Sequence, residues 1–235
     1  MPKKIILSLI VLILLWLVAG FVRIKIFGRR ANTLIQNTKP FERKGNTSQK
    51  ILILGDSLAF GTGTSSPDKS VAGLVASRFP DATVINKAVN GKRTAQLATE
   101  VQNINENYDF ILIIIGGNDI LRPWLNLHTS AQNLQAIYST ASKHSSKVVA
   151  LTTGDLKYTS FFLWPANYYF SARSVELRNS AKKIASSLPN VTYIDLVERN
   201  KHVKFDNLKE SPDHLHLSDD GAKYWFEAIL DSGVI

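Results

Sequence analysis

Lys50-Ile51-Leu52-Ile53-Leu54-Gly55-Asp56-Ser57-Leu58-Ala59-Phe60-Gly61-Thr62-Gly63 decides how the rest of the chain is read. Four consecutive aliphatic residues run into Gly-Asp-Ser, the pattern of a strand buried on both faces that ends in a turn presenting a hydroxyl. Open α/β sheets bind their ligands at the carboxyl ends of their strands, so Ser57 stands where such proteins place their chemistry. A serine after a strand is also an ordinary turn residue or helix cap. Its meaning depends on what the other strand ends deliver.

Further along, aliphatic runs of strand length alternate with segments of helical period. Strands are expected at Ile51 to Leu54, Thr83 to Val89, Phe110 to Ile115, Val148 to Thr152 and Val191 to Leu196. Leu134, Ile137, Tyr138 and Ala141 mark one helical face. Leu177, Ala181, Ile184, Ala185 and Leu188 mark a second, with Ser171 as its cap and Pro189-Asn190 as its stop. Shorter helices are expected over Val71 to Phe79 and Ala95 to Ile104. The last helix has Ser218 as N-cap, Asp219 and Asp220 in its first turn, and an apolar stripe of Ala222, Trp225, Phe226 and Ile229. Five strands alternating with five helices predict an α/β fold, a five-stranded parallel sheet covered by helices on both faces.

Outside this domain the composition changes. The formal charge of +9 resides wholly in residues 1 to 50, which hold ten Lys or Arg against the single Glu42. Residues 51 to 235 are electrically balanced, which argues against a nucleic-acid partner. Ile5 to Val22 is an 18-residue run with only Ser8 polar, long enough at about 1.5 Å per residue to cross most of a hydrocarbon core. Residues 1–22 are therefore read as an N-terminal membrane anchor, against the rival of a signal segment cleaved near Val18-Ala19-Gly20. Residues 23–49, polar and basic, are expected to form a juxtamembrane linker, and residues 50–235 the globular domain. The Arg23, Lys25, Arg29 and Arg30 flank favours a cytoplasmic domain by the positive-inside rule, whereas a charged N-terminus before an apolar helix is the usual export signal. Of the two, the extracytoplasmic placement is the one expected. The chain has no cysteine, which excludes disulfides and thiolate chemistry.

The other strand ends carry Asn90-Gly91, then Gly116-Gly117-Asn118-Asp119, and a late segment Asp213-His214-Leu215-His216 precedes the final helix. In a parallel sheet all of these emerge on the rim that holds Ser57. A serine nucleophile needs a neutral imidazole to take its proton and an acid to orient that imidazole. An Asp three residues before a His can fold back in one turn onto Nδ1 and leave Nε2 free, which selects His216 with Asp213 and turns His214 elsewhere. Gly91 lets the backbone approach a substrate, and Asn118 offers amide hydrogens without a charge.

These segments, Gly55-Asp56-Ser57-Leu58, Gly91, Gly116-Gly117-Asn118-Asp119 and Asp213-His214-Leu215-His216, resemble in order the four blocks of the SGNH (GDSL) hydrolase family, in particular its bacterial arylesterase/thioesterase/lysophospholipase branch. The resemblance covers residues 50 to 231. It implies a flavodoxin-like three-layer α/β/α fold and an ester hydrolase without cofactor. Ser57 is then the nucleophile, Asp213 and His216 complete a triad, and the Ser57 N–H, Gly91 N–H and Asn118 amide form an oxyanion hole. Lys92-Arg93 beside Gly91 departs from the family pattern and is read as a solvated loop in preference to a site for an anionic substrate.

Other features are explained without chemistry. Asp56 and Asp119 are read as turn and structural residues. Asp219 and Asp220 are first-turn helix acids, so no metal is assigned to the cluster with Asp213, His214 and His216. Gly61-Thr62-Gly63 lacks the spacing of a phosphate loop. Tyr158 to Phe170 holds seven aromatics, read equally as a loop packing over the sheet edge or as a functional cluster, in which Phe161, Phe162 and Trp164 are the candidate acyl or aryl pocket, or a patch dipping into the bilayer. The expected function is a membrane-anchored serine esterase acting through an acyl-enzyme on a small-molecule or lipid ester. The alternatives are an acetyl esterase or O-acetyltransferase on envelope polysaccharide and a non-catalytic binding module.

Overall fold

The quoted run becomes strand β1 (Lys50–Gly55) in the computed structural model, which describes residues 2–202 and 209–235. A long helix α1 (Pro2–Asn37) precedes it, and a one-turn helix α2 (Ser57–Phe60) follows it directly. Next come α3 (Val71–Ala76), β2 (Thr83–Asn86), α4 (Thr94–Glu100), β3 (Phe110–Ile114) and α5 (Gly117–Ile120). The chain continues through α6 (Leu127–His144), β4 (Val148–Leu151), α7 (Ala166–Ser186), β5 (Val191–Tyr193), α8 (Leu196–His202) and α9 (Asp219–Asp231).

All four strand pairings are parallel and the order is β2-β1-β3-β4-β5, the flavodoxin-like arrangement. Side chains alternate across the sheet. Ile51 and Ile53 enter a core shared with α3 and α9, while Leu52 and Leu54 enter a second core shared with α4, α6 and α7. All four are essentially unexposed, and burying each such side chain stabilises the fold by about 1.5–3 kcal/mol. Winding reverses between β1 and β3, so their carboxyl ends define the crevice where this fold binds ligands.

Several boundaries move from expectation, each for a local reason. β2 stops at Asn86 rather than Val89, because the Asn86 side-chain oxygen accepts the Ala88 N–H at 3.0 Å and turns the chain. β5 stops at Tyr193, and α8 follows unforeseen, started by Asp195 accepting the Glu198 N–H at 3.0 Å. α7 begins at Ala166, a turn and more before Ser171. Ser218 caps α9 through the Gly221 N–H at 3.2 Å, as its sequence indicates.

By length and composition α1 can cross a membrane, and its most apolar window is unburied. The segment read as a linker, 23–49, is helical as far as Asn37. It has no proline before Pro40, and Phe27, Ala31, Leu34 and Ile35 recur at helical spacing on the side that faces the domain. Beyond the helix, Arg43 pairs with Val84 in an antiparallel bridge, N–H to O at 3.1 Å and 2.8 Å, which covers the edge strand β2. The Arg43 guanidinium also donates to the carbonyls of Ala76 and Ala82, each at 3.2 Å, so this residue ties the segment down.

Candidate active site

Ser57 is the first residue of α2, and Asp56 is that helix's N-cap, its Oδ1 accepting the Leu58 N–H at 3.1 Å. The turn is sharp because Gly55 sits at φ +146°, where a Cβ would lie 1.9 Å from the Ile114 carbonyl oxygen of β3. Only glycine permits that approach, and it delivers Ser57 to the crevice between β1 and β3. Asp56 itself is buried, which pushes its carboxyl up to about 6 against the lowering effect of the Leu58 N–H and of His216. It acts as a turn residue.

His216 Nε2 lies 2.9 Å from Ser57 Oγ, and its Nδ1 lies 2.5 Å from Asp213 Oδ2. The other Asp213 oxygen accepts the backbone N–H groups of Leu215 and His216, each at 3.0 Å, and the Ser211 hydroxyl at 2.7 Å. The aspartate thus folds its own loop into the turn that brings His216 back onto it. Burial alone would raise the Asp213 carboxyl, but the His216 ring and these donors outweigh it and hold it far below the usual carboxylate range. An ionised Asp213 keeps the proton on Nδ1 and leaves Nε2 as acceptor toward the hydroxyl.

His214 points elsewhere, as expected from its place beside Asp213. Its backbone is left-handed at φ +59°, its Nδ1 is 3.1 Å from Glu210 Oε2, and its ring lies 4.5 Å from that of Phe27 on α1.

Gly91 and Asn118 line the same cleft as Ser57 and His216. Gly91 has φ +78° with no protein atom within 4 Å of where a Cβ would stand, so conformation rather than crowding demands glycine. Asn118 is held by Arg122, whose Nη1 donates to the Asn118 carbonyl at 2.7 Å and to its side-chain oxygen at 2.9 Å. With the oxygen occupied, the amide N–H₂ is the free end. Asp119 ties this loop to the Gly91 loop, accepting from Thr94 N at 3.0 Å, Thr94 Oγ1 at 2.6 Å and Ser130 Oγ at 3.0 Å. Arg173 braces the turn beyond through the carbonyls of Asp119, Ile120, Arg122 and Leu125. Lys92 is buried, not solvated as read from sequence. It pairs with Glu100 at 2.5 Å and donates to the Lys87 carbonyl at 2.8 Å. Asp219 accepts from Ser65 and Lys69.

The cleft at Ser57 measures about 170 Å³. Leu58, Leu121, Leu156 and Leu215 make its apolar walls together with Ala31 and Ile35 of α1. Phe161, Phe162 and Trp164, expected to form the substrate pocket, are absent from that lining. Phe161 packs on Phe27 with ring centroids 6.0 Å apart, Phe162 stacks on Phe170 at 4.3 Å, and Trp164 stands edge-on to Trp16 at 6.5 Å. Phe161 and Trp164 face α1 because that helix continues across the rim beside them, while Phe162 packs back onto α7.

A parallel sheet in this order, with serine, histidine, glycine and asparagine gathered at its switch point, defines the class: an SGNH-type hydrolase. The chain belongs to the GDSL-like lipase/acylhydrolase family, whose model matches residues 53–224, and it is by that membership a carboxylic ester hydrolase. Among solved structures, TesA is similar at 19% identity and TM-score 0.60, covering 78% of this chain and 97% of that one. A lipase/acylhydrolase from Enterococcus faecalis is similar at 21% identity and TM-score 0.61, covering 78% and 94%. A catalytic mutant of Axe2, an acetylxylan esterase from Geobacillus stearothermophilus, is similar at 19% identity and TM-score 0.60, covering 80% and 95%. These likenesses show the fold. Comparison with curated proteins gives no match.

Proposed function

We propose that the chain is a membrane-anchored serine esterase that hydrolyses acyl esters through an acyl-enzyme on Ser57. The observation that carries this reading is the continuous file Ser57 Oγ, His216 Nε2, His216 Nδ1, Asp213 Oδ2. In the first half-reaction His216 Nε2 takes the Ser57 proton as Oγ attacks the carbonyl carbon. The tetrahedral oxyanion accepts hydrogen bonds from the Ser57 N–H, the Gly91 N–H and the Asn118 amide. Collapse expels the leaving alkoxide, which takes the proton from His216 and leaves an ester on Ser57. A water deprotonated by His216 then attacks that ester, and its collapse returns the proton to Ser57.

The apolar cleft favours an acyl chain over a sugar. The Axe2 likeness carries fold alone, so acetyl transfer or removal on polysaccharide stands as the second reading. A panel of p-nitrophenyl esters of graded chain length, with a lysophospholipid and an acetylated oligosaccharide, tests the choice. Preference for medium or long acyl chains is expected, and activity confined to acetylated sugar would overturn it.

We place α1 in the membrane and the domain outside the cytoplasm. Arg23 and Arg30, which argue by charge for the opposite topology, have a role in seating the domain on α1, through the Ser160 and Pro212 carbonyls. A phosphatase fusion at the C-terminus, active only outside the cytoplasm, tests the orientation.

A further inference from the structure

The helix that anchors the chain also reaches the serine. Between Arg23 and Asn37, the covered residues of α1 fall on one stripe while the opposite face is exposed. Arg23 Nε donates to the Ser160 carbonyl at 3.0 Å, and Arg30 Nη1 to the Pro212 carbonyl at 3.1 Å. Phe27, buried between them, lies against the His214 and Phe161 rings. One and two turns further on, Ala31 and Ile35 enter the lining of the cleft that holds Ser57 and Asn118.

The other end of the same contact reaches into the membrane. Trp164 is 69% exposed and meets Trp16, which lies inside the apolar run. Tyr168 and Tyr169, about half exposed, follow it at the start of α7. Trp16 lies six residues before Val22, about 9 Å back along the helix, so the Trp164 loop dips below the headgroups into the leaflet that α1 leaves. At about 1.5 Å per residue, Ala31 and Ile35 stand about 14 and 20 Å beyond Val22, the end of the apolar run. The cleft is therefore just outside the leaflet that α1 leaves, with one apolar wall continuous with the anchor.

We propose that Ala31 and Ile35 of α1 are specificity residues that hold the acyl chain of a membrane amphiphile, an ester lifted from the bilayer in which the same helix is anchored. This rests on the esterase reading above and adds to it the source of the substrate and the part that selects it. An apolar face of α1 with no such role would be expected to pack on the domain core, whereas Ala31 and Ile35 border an open cleft. Discrimination by one lost or added hydrocarbon contact in such a site is on the order of tenfold or more.

The test uses full-length protein in proteoliposomes and the ratio of kcat/KM for p-nitrophenyl decanoate to that for p-nitrophenyl acetate. Ile35→Ala, which withdraws a contact, and Ala31→Phe, which fills the cleft, are each expected to lower this ratio about tenfold or more. Asn32→Ala and Gln36→Ala, on the exposed face, are expected to leave it as in the wild type. Monoacyl phosphatidylcholine in the same bilayer is expected to compete with decanoate, about tenfold less well in Ile35→Ala. Phosphonylation of Ser57 by a small fluorophosphonate is measured in every variant. A normally labelled Ile35→Ala with an unchanged ratio overturns the acyl-wall proposal while the esterase reading stands. Absence of labelling in the wild type overturns the esterase reading itself. Loss of labelling in Ala31→Phe alone leaves Ile35→Ala to decide, and failure of the lipid to compete overturns the bilayer as source.

Discussion

Arg122 grips Asn118 twice, at its carbonyl and at its side-chain oxygen, 2.7 Å and 2.9 Å from one guanidinium nitrogen. A single cation thereby fixes which end of the amide faces the cleft. Neither residue type suggests this from sequence, because the pairing is a contact one helical turn apart between Asn118, inside the one-turn helix α5, and Arg122, two residues past its end. The consequence is that the proposed oxyanion donor depends on a neighbour that touches no substrate.

Asn118→Ala should therefore lower turnover by about 10² to 10³ with the fold intact, the usual loss for one oxyanion donor. Arg122→Ala should lower kcat by less, about tenfold, with KM little changed, because the amide is present but free to rotate. Arg122→Lys should recover part of the loss. Steady-state kinetics on one soluble ester check all three, and an Arg122→Ala effect confined to KM would remove the positioning role.

His216→Ala should abolish turnover on p-nitrophenyl acetate, whereas His214→Ala should keep most of it, since the His214 ring faces Glu210 and Phe27 and not Ser57. Comparable loss in both variants would contradict the assignment of His216 as base.

Asp56 makes stability fall with rising pH. Its folded carboxyl titrates at about 6, above its unfolded value, so the folded state binds the extra proton. That contribution is complete below about pH 4, is lost as pH rises to about 6, and amounts to about 3 kcal/mol. Asp213 has the opposite sign, since its depressed folded value makes a contribution that is present above about pH 4 and lost only in stronger acid. Between about pH 4.5 and 6 the slope thus belongs to Asp56. The thermal midpoint of detergent-solubilised wild type should drop across this window, and Asp56→Asn should flatten the drop. An equal slope in both would exclude Asp56 as its source.

The sheet was legible because strands buried on both faces must be aliphatic throughout, and Ile51 to Leu54 and Phe110 to Ile115 have no other reading. The Asp213 to His216 turn was legible because its geometry is local, an aspartate oxygen closing three residues onto itself. Local capping was legible at Ser218 and was missed at Asp195, where the acid and Glu198 three residues on carry a helix-start signal that the aliphatic run obscured. The start of α7 was hidden by Tyr168, Tyr169 and Phe170, whose consecutive aromatics mask the helical period. What sequence could not provide was the course of α1. Phe27, Ala31 and Ile35 have helical spacing, but only the fold brings a terminal helix across the sheet's rim, and that contact moved the cleft wall from Phe161, Phe162 and Trp164 to Ala31 and Ile35.

The central claim is that Ser57 is a nucleophile activated by His216, and reaction with a fluorophosphonate probe read by intact mass tests it most directly. The account predicts one adduct on the wild type, none on Ser57→Ala, and strongly slowed labelling of His216→Ala. Adduct formation that persists in Ser57→Ala, or a wild type that stays unmodified, would contradict it.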